Sequence, residues 1–165
     1  MTDALNVVPA PQSPSTGVTN ATATAEALRD VLSDTYRLMF KTQAYHWNVE
    51  GPLFFSLHNL TEEQYENLFK AADELAERMR ALGKLAPNTM AEIMSNSVIN
   101  DLDTAPSAGD MCADLAADNE RVAHRLHALI KIADQANDPV TEDLATERAA
   151  FHEQAVWMLR AISAT

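Results

Sequence analysis

The sequence predicts an all-α fold: four long helices in an antiparallel bundle, with one longer crossover that carries a short helix. Three observations predict it. Apolar residues recur three and four residues apart through most of the chain, the repeat of one helix face. Ala, Leu, Glu, Met and Arg, all good helix formers, are common in the middle of the chain. Gly is scarce (4) and Pro (7) sits near segment ends, so the breaks fall between long segments rather than inside them. A length of 165 residues is that of one domain and is enough to bury a single core.

The elements follow in order. Residues 1–22 are rich in Ser, Thr, Pro, Ala, Asn and Val without periodicity and read as a flexible tail ahead of a domain over 23–165. From Thr24 the stripe Leu28, Val31, Thr35, Met39, Thr42, His46 predicts a first helix that stops near Glu50, before the Gly51-Pro52 break. A second helix is expected from about Phe54 to Leu82, ended by Gly83. Thr61-x-x-Gln64 resembles a capping box and would start it later. Phe54, Leu57 and Leu60 already have helical spacing and favour the earlier start. Residues 84–106, punctuated by Pro87 and Pro106, form the crossover, with a short helix over Thr89 to Ser95. Ser107 caps a third long helix to Ala136. Asp138 caps and Pro139 begins a fourth, which runs to about Ala161. Helices of this length joined by one long connection suit a bundle.

Charge and composition narrow the function. Acids outnumber Lys plus Arg by 24 to 12, a net charge of −12, which repels nucleic acid and attracts cations. No apolar run is long enough to span a membrane, and no basic region followed by an apolar core marks a secretory signal. The single cysteine, Cys112, forms no internal disulfide and fits a reducing, cytoplasmic setting as a small buried apolar residue.

His46, His58, Glu62, Asp73 and Glu77 stand out as chemistry. Imidazole with carboxylate is a donor set suited to iron. Glu62 lies four residues after His58, and Asp73 and Glu77 are four apart, so each pair shares a helix face. Helical rise then separates the pairs: Glu62 and Asp73 point the same way but stand roughly 16 Å apart, and His58 and Asp73 about 22 Å. Paired metals lie only about 3.5–4 Å apart. Either the halves are unrelated, or each completes a neighbour's across a two-fold axis. The bundle-interior alternative needs Glu-x-x-His on two helices, and none occurs; Glu120 and His124 are four apart. The zinc-hydrolase pattern His-Glu-x-x-His is absent too, since His152-Glu153 continues Gln-Ala-Val. Singly, each of these residues would read as a core histidine or a solvated acid; the joint spacing is what carries the signal.

The stretch Ala44-Tyr-His-Trp-Asn-Val-Glu-Gly-Pro-Leu-Phe-Phe-Ser-Leu-His58, followed by Asn-Leu-Thr-Glu-Glu-Gln-Tyr and by Ala72-Asp-Glu-Leu-Ala-Glu-Arg78, closely resembles the Dps mini-ferritins, named as DNA-binding proteins from starved cells. The specific part covers about 44–83, and the helical layout matches from about 24 to 162. The steps of 12, 15 and 4 from His46 to His58, Asp73 and Glu77 resemble the family's ferroxidase signature. The resemblance implies a ferritin-like subunit in a hollow dodecamer, with His46 and His58 from one subunit and Asp73 and Glu77 from its two-fold partner. It implies a dinuclear Fe(II)/Fe(III) centre, with Glu62 as a bridging or nearby ligand and zinc as a possible substitute. It also implies Fe(II) oxidation by hydrogen peroxide in preference to oxygen. Trp47 matches a family aromatic beside the centre, read either as an electron source or as an interface anchor. Asp138, Asp143 and Glu147 match a region lining three-fold channels for iron entry; the plain alternative is helix N-terminal acids complementing the macrodipole. His124, His127 and His152 are expected to make ordinary hydrogen bonds.

Many members bind DNA through a Lys/Arg-rich tail. Here the first basic residue is Arg29, and Ala-Ile-Ser-Ala-Thr follows Arg160. Twelve subunits at −12 each would carry on the order of −140, and phosphate binding needs clustered cations. DNA binding is therefore expected to be weak or absent. Two other readings are a nucleoid-compacting protein with secondary iron binding and a metal-stabilised oligomer without turnover.

Overall fold

The computed structural model describes residues 4–164. Its long helices are α1 (Ala21–Asn48), α2 (Phe54–Ala81), α4 (Ala108–Gln135) and α5 (Pro139–Ile162), and the short α3 (Met90–Asn96) lies on the crossover. A single tighter turn spans Ala4–Asn6.

Local chemistry sets most boundaries. α1 begins three residues ahead of the expected Thr24 because the Asn20 side chain accepts the Ala23 N–H at 3.3 Å. The Ala-Thr alternation there carries no apolar stripe, so periodicity alone misses that turn. α2 starts at Phe54, and Thr61 does not cap it: its buried hydroxyl bonds instead to the Leu57 carbonyl at 2.7 Å, inside the helix. Ser107 and Asp110 cap α4 reciprocally, and Asp138 caps α5 with Pro139 in its first turn.

The C-termini of α2 and α4 end alike. Gly83 (φ 78°) and Asn137 (φ 55°) are left-handed. The N–H groups of Gly83 and Lys84 reach back to Arg80 and Met79, and those of Asn137 and Asp138 to Asp134 and Ala133. This is the double hydrogen bond that satisfies final carbonyls. Both ends also receive the segment that precedes α1. The Gln12 N–H donates to the Gly83 carbonyl at 2.7 Å, and Thr19 donates its N–H to Ala136 O at 2.9 Å. The stretch read as a tail is thus strapped across that end of the bundle. A Cβ on Gly83 would stand 2.3 Å from the Gln12 carbonyl oxygen. Gly83→Ala is expected to cost roughly 1–2 kcal/mol in backbone conformation alone, and more if the strap is displaced. A lowered urea midpoint checks it, and an unchanged midpoint contradicts the strap.

Leu28, Leu38, Leu57, Leu68, Leu75, Leu115, Leu126 and Leu159 fill the centre, each contributing about 1.5–3 kcal/mol by burial. Cys112 is buried among them. α2 and α5 run antiparallel, since Arg78 meets Asp138 and Asn67 meets Arg148. α1 opposes α2 and α4. α2 and α4 therefore run parallel, which is why a long crossover must join them.

Two buried polar clusters hold that crossover. Asp34 accepts from Ser97 Oγ and the Val98 N–H, both at 2.8 Å, and from Arg125 at 3.0 Å. Lys41 donates to the Asn100 carbonyl and pairs with Asp114 and Asp118, all at 2.6 Å. Arg121 pairs with Asp118 from the solvent side. Burial pushes the Asp34 and Asp118 carboxyls upward, against the downward pull of these donors. None of these partners was legible in the sequence as a functional group. Lys41, three residues after Leu38 and four before Tyr45 on a stripe of their own, was the one available signal.

Candidate metal centre

The Gly51-Pro52 turn folds the start of α2 back onto the end of α1, and the two histidines meet there. Gly51 adopts φ 88°, which lets the chain reverse within a few residues. The His46 and His58 rings stack with centroids 3.8 Å apart and planes at 17°. Each ring bonds through Nδ1 to the other's backbone carbonyl, both at 2.9 Å. The His46 carbonyl is available because α1 ends at Asn48, leaving its last carbonyls without helical partners.

This reciprocal bond fixes the chemistry of both rings. A carbonyl only accepts, so each Nδ1 must carry the proton and donate. In the neutral ring that tautomer leaves Nε2 with a bare lone pair, the form that binds a metal. Phe54 stacks on His58 at 4.9 Å and 22°, and Tyr65 meets the His46 ring edge-on at 5.3 Å and 72°. The ring pile restricts rotation of both imidazoles. His46 is only 8% exposed.

Glu62 lies one turn beyond His58 with an exposed carboxylate. Asp73 and Glu77 are exposed further along α2. Asp73 borders an open groove of about 670 Å³ between α1, α2 and α3, walled by Leu32, Tyr36, Phe69 and Ile93. Among the described residues no three His, Cys, Asp or Glu side chains in one chain are gathered closely enough to hold a metal. Within one subunit the histidine pair and the carboxylate pair therefore stand apart, as helical rise requires.

Trp47 is 60% exposed, next to the histidine pair, and meets Phe40 edge-on at 6.5 Å. Phe54, Phe55 and Phe69 are exposed as well. Such aromatic exposure on a subunit marks surface that an assembly covers.

The acids at the start of α5 divide. Asp138 corrects the expectation of a channel carboxylate. It is 1% exposed, and both its oxygens are committed within the chain. Oδ1 accepts from Arg78 at 2.6 Å and from the Thr141 N–H at 2.9 Å; Oδ2 accepts from the Thr141 hydroxyl at 2.6 Å. Asp143 and Glu147 are exposed, with no hydrogen bond or ion pair to their carboxylates among the described residues. His124 is exposed, and His127 meets Glu153 at 2.8 Å on the surface.

His152 is fully buried and bonded through Nδ1 to Asn119 Oδ1 at 2.8 Å. Burial, with Arg148 nearby, holds its pKa down to about 3.

Residues 25–165 match the ferritin-like domain family. A low temperature-induced protein of Nostoc is 38% identical over 81% of this chain and 75% of its own length. The DNA protection during starvation protein of Helicobacter pylori is 32% identical over 84% of this chain and 96% of its own. Among solved structures, Dps from Staphylococcus aureus superposes with a TM-score of 0.83 at 30% identity, covering 86% of this chain and 95% of that one. Dps from Vibrio cholerae, described as a member of a broad superfamily of ferritin-like diiron-carboxylate proteins, gives 0.84 at 26%, covering 94% and 98%. The helix order, the long crossover and these likenesses agree: the chain belongs to the Dps family of ferritin-like proteins.

Proposed function

We propose that this protein oxidises Fe(II) at two-iron sites built between subunits and stores the ferric product as mineral inside a hollow dodecamer. The observation that carries the reading is the reciprocal histidine bond, which stacks two imidazoles with Nε2 available to a metal, while Asp73 and Glu77 of the same chain stand too far along α2 to join them. His46 and His58 of one subunit hold Fe(II), and Asp73 and Glu77 come from the two-fold partner. Glu62 stands one turn from His58, where a carboxylate can reach the same iron. The donor set fits the substrate, since imidazole suits Fe(II) and carboxylate suits the harder Fe(III). Few protein ligands per iron leave positions open for an oxidant. Exposed Asp143 and Glu147 can draw Fe(II) toward the shell.

Hydrogen peroxide is the oxidant in this reading, and removal of iron and peroxide together protects the cell from oxidative damage in the cytoplasm. Among the described residues no helix is long and apolar enough to cross a membrane. The test is anaerobic addition of peroxide to the Fe(II)-loaded assembled protein. The expected result is two Fe(II) oxidised per peroxide with little spin-trapped hydroxyl radical. Hydroxyl radical at the level of protein-free iron would overturn it, and binding of zinc or iron without turnover would point to a structural metal instead.

DNA packaging is not part of this function. The segment before α1 has no Lys or Arg and the net charge is −12, so that segment brings no clustered cations to displace counterions. In a gel-shift assay at low salt, neutral pH and without divalent ions, DNA is expected to migrate unretarded. Tight retardation would restore the nucleoid-compacting alternative.

A further inference from the structure

Between α2 and α5 lies a buried cation that meets no opposite charge among the described residues. Arg148 of α5 is 5% exposed. Its Nη1 donates to Asn67 Oδ1 of α2 at 2.7 Å, and the guanidinium carbon lies 4.4 Å from the centre of the Phe151 ring. Its Nε and Nη2 are buried without a hydrogen-bond partner among the described residues. Those two N–H groups form the side edge of the guanidinium, the parallel fork that receives an anion. Asp34, Lys41, Asp118 and Asp138, equally buried, each meet an opposite charge. Glu147 and Glu74 act on Arg148 from a distance, opposing the fall in its pKa that burial causes, and Glu74 pairs with Lys70 instead.

A further donor stands on the same side of α2. Gln64 is 4% exposed and lies three residues before Asn67, on the same helix face. Its Nε2 is likewise buried without a partner among the described residues. Because α2 and α5 run antiparallel, Gln64 faces the turn of α5 that follows Arg148. Neither a guanidinium nor an amide nitrogen accepts a hydrogen bond, so these three nitrogens offer donors alone. His152 Nε2, one turn along α5, lacks a partner too. It is an acceptor, since Nδ1 donates to Asn119, and so stands outside this donor set.

We propose that the Nε–Nη2 edge of Arg148 and the amide nitrogen of Gln64 bind a small monovalent anion inside the bundle, a halide or a planar oxyanion of bicarbonate size. A buried charge without a partner is strongly unfavourable, and one negative charge in contact with it relieves that cost. Asn67 holds one end of the guanidinium and Phe151 covers one face, so the free edge is aimed in a single direction. A multiply charged anion would bring excess charge into the core, which limits the ligand to a single negative charge. The inference is independent of the ferroxidase reading, because none of these residues is an iron ligand in it.

The test combines a salt series with a crystal of the assembled protein. Thermal unfolding is followed at one pH and constant ionic strength while sodium gluconate is replaced by chloride, bromide or bicarbonate. Once the bound anion is in excess of its dissociation constant, each tenfold rise should lift the midpoint by about 3–5 °C. Crystals grown in sodium bromide should show an anomalous peak in contact with Arg148 Nε and Gln64 Nε2. A rise in bicarbonate alone, with planar density on the same atoms, identifies the oxyanion instead of the halide. Arg148→Met, which keeps an unbranched stem, should abolish the anion dependence, and Gln64→Met should weaken affinity about tenfold. The salt series and the crystal need no variant, so they decide the question even if a substitution unfolds the subunit. Equal midpoints in all four salts overturn the site, and a bromide peak without any dependence in solution marks binding at crystal concentration only. An ordered water on the free edge, a carboxylate of a neighbouring subunit there, or an anion dependence that survives Arg148→Met overturns it as well.

Discussion

Asp73→Ala is expected to lower the peroxide-driven oxidation rate by about a hundredfold or more, because removing one metal-directed donor typically costs 10–100-fold in affinity or activity even for groups that only support a ligand. The more informative experiment mixes two inactive proteins. A subunit with His46→Ala and His58→Ala keeps its carboxylate pair, and one with Asp73→Ala and Glu77→Ala keeps its histidine pair. A two-fold interface places each half against the other kind of half. A mixed dimer therefore has one site with all four ligands and one with none. Co-assembly from denatured, equimolar chains should form half of the dimers as mixed ones. Each of these restores one site of two, so about a quarter of wild-type activity returns. Each parent assembled alone should stay inactive. If the mixture also stays inactive although mass measurement shows mixed shells, the sites do not lie between subunits. If either parent alone keeps wild-type activity, its mutated residues are not the ligands. The subunit geometry motivates this design, since His58 and Asp73 stand about 22 Å apart along α2.

Much of this was legible in the sequence because helices announce themselves locally. The Gly51-Pro52 and Asn137-Asp138-Pro139 breaks and the Ser107 cap lie within a few residues of the boundaries they set. The separation of the histidine pair from Asp73 and Glu77 was legible too, since it follows from residue number and rise alone. What could not be read were contacts between residues distant in the chain. That His46 and His58 would each donate to the other's carbonyl depends on the angle at which the turn returns α2, and no spacing encodes that angle. Asp138 shows the same limit. Its capping role is local and was visible, but its pairing with Arg78, 60 residues away, is what takes it out of solvent. Lys41 and Tyr45 sit on a face of α1 whose partners, Asp114 and Asp118, arrive only after the crossover.

Acid should destabilise the subunit from about pH 6.5 downward, well before its surface carboxylates titrate, and His152 is the cause. Its imidazole is fully buried. The Asn119 amide is oriented by its own bond to the Leu115 carbonyl at 2.8 Å, so its oxygen faces His152 and Nδ1 donates to it. Nε2 has no protein partner, so a second proton there would place a charge in the core. Burial first, and the nearby Arg148 cation second, lower the pKa from 6.5 to about 3. Between those two values the unfolded chain binds a proton that the folded subunit refuses. The contribution of His152 to stability is thus full above pH 6.5 and falls by about 1.4 kcal/mol for each unit of pH below it. The whole interval amounts to about 4–5 kcal/mol per subunit, comparable to the lower end of a domain's net stability. Asp34 and Asp118 work in the opposite sense. Their folded-state carboxyls titrate above the ordinary value, so the folded subunit takes up those protons first and gains stability relative to the unfolded chain as pH falls. The variant His152→Gln keeps a donor for Asn119 and removes the titration. Urea denaturation from pH 7.5 to 4.5 should show wild-type stability falling with a slope about one proton steeper than that of the variant. The comparison of slopes is unaffected by whatever the substitution costs in packing. Equal slopes in the two proteins would mean that His152 takes up its proton in the folded state without penalty, and that its burial is not what limits the subunit in acid.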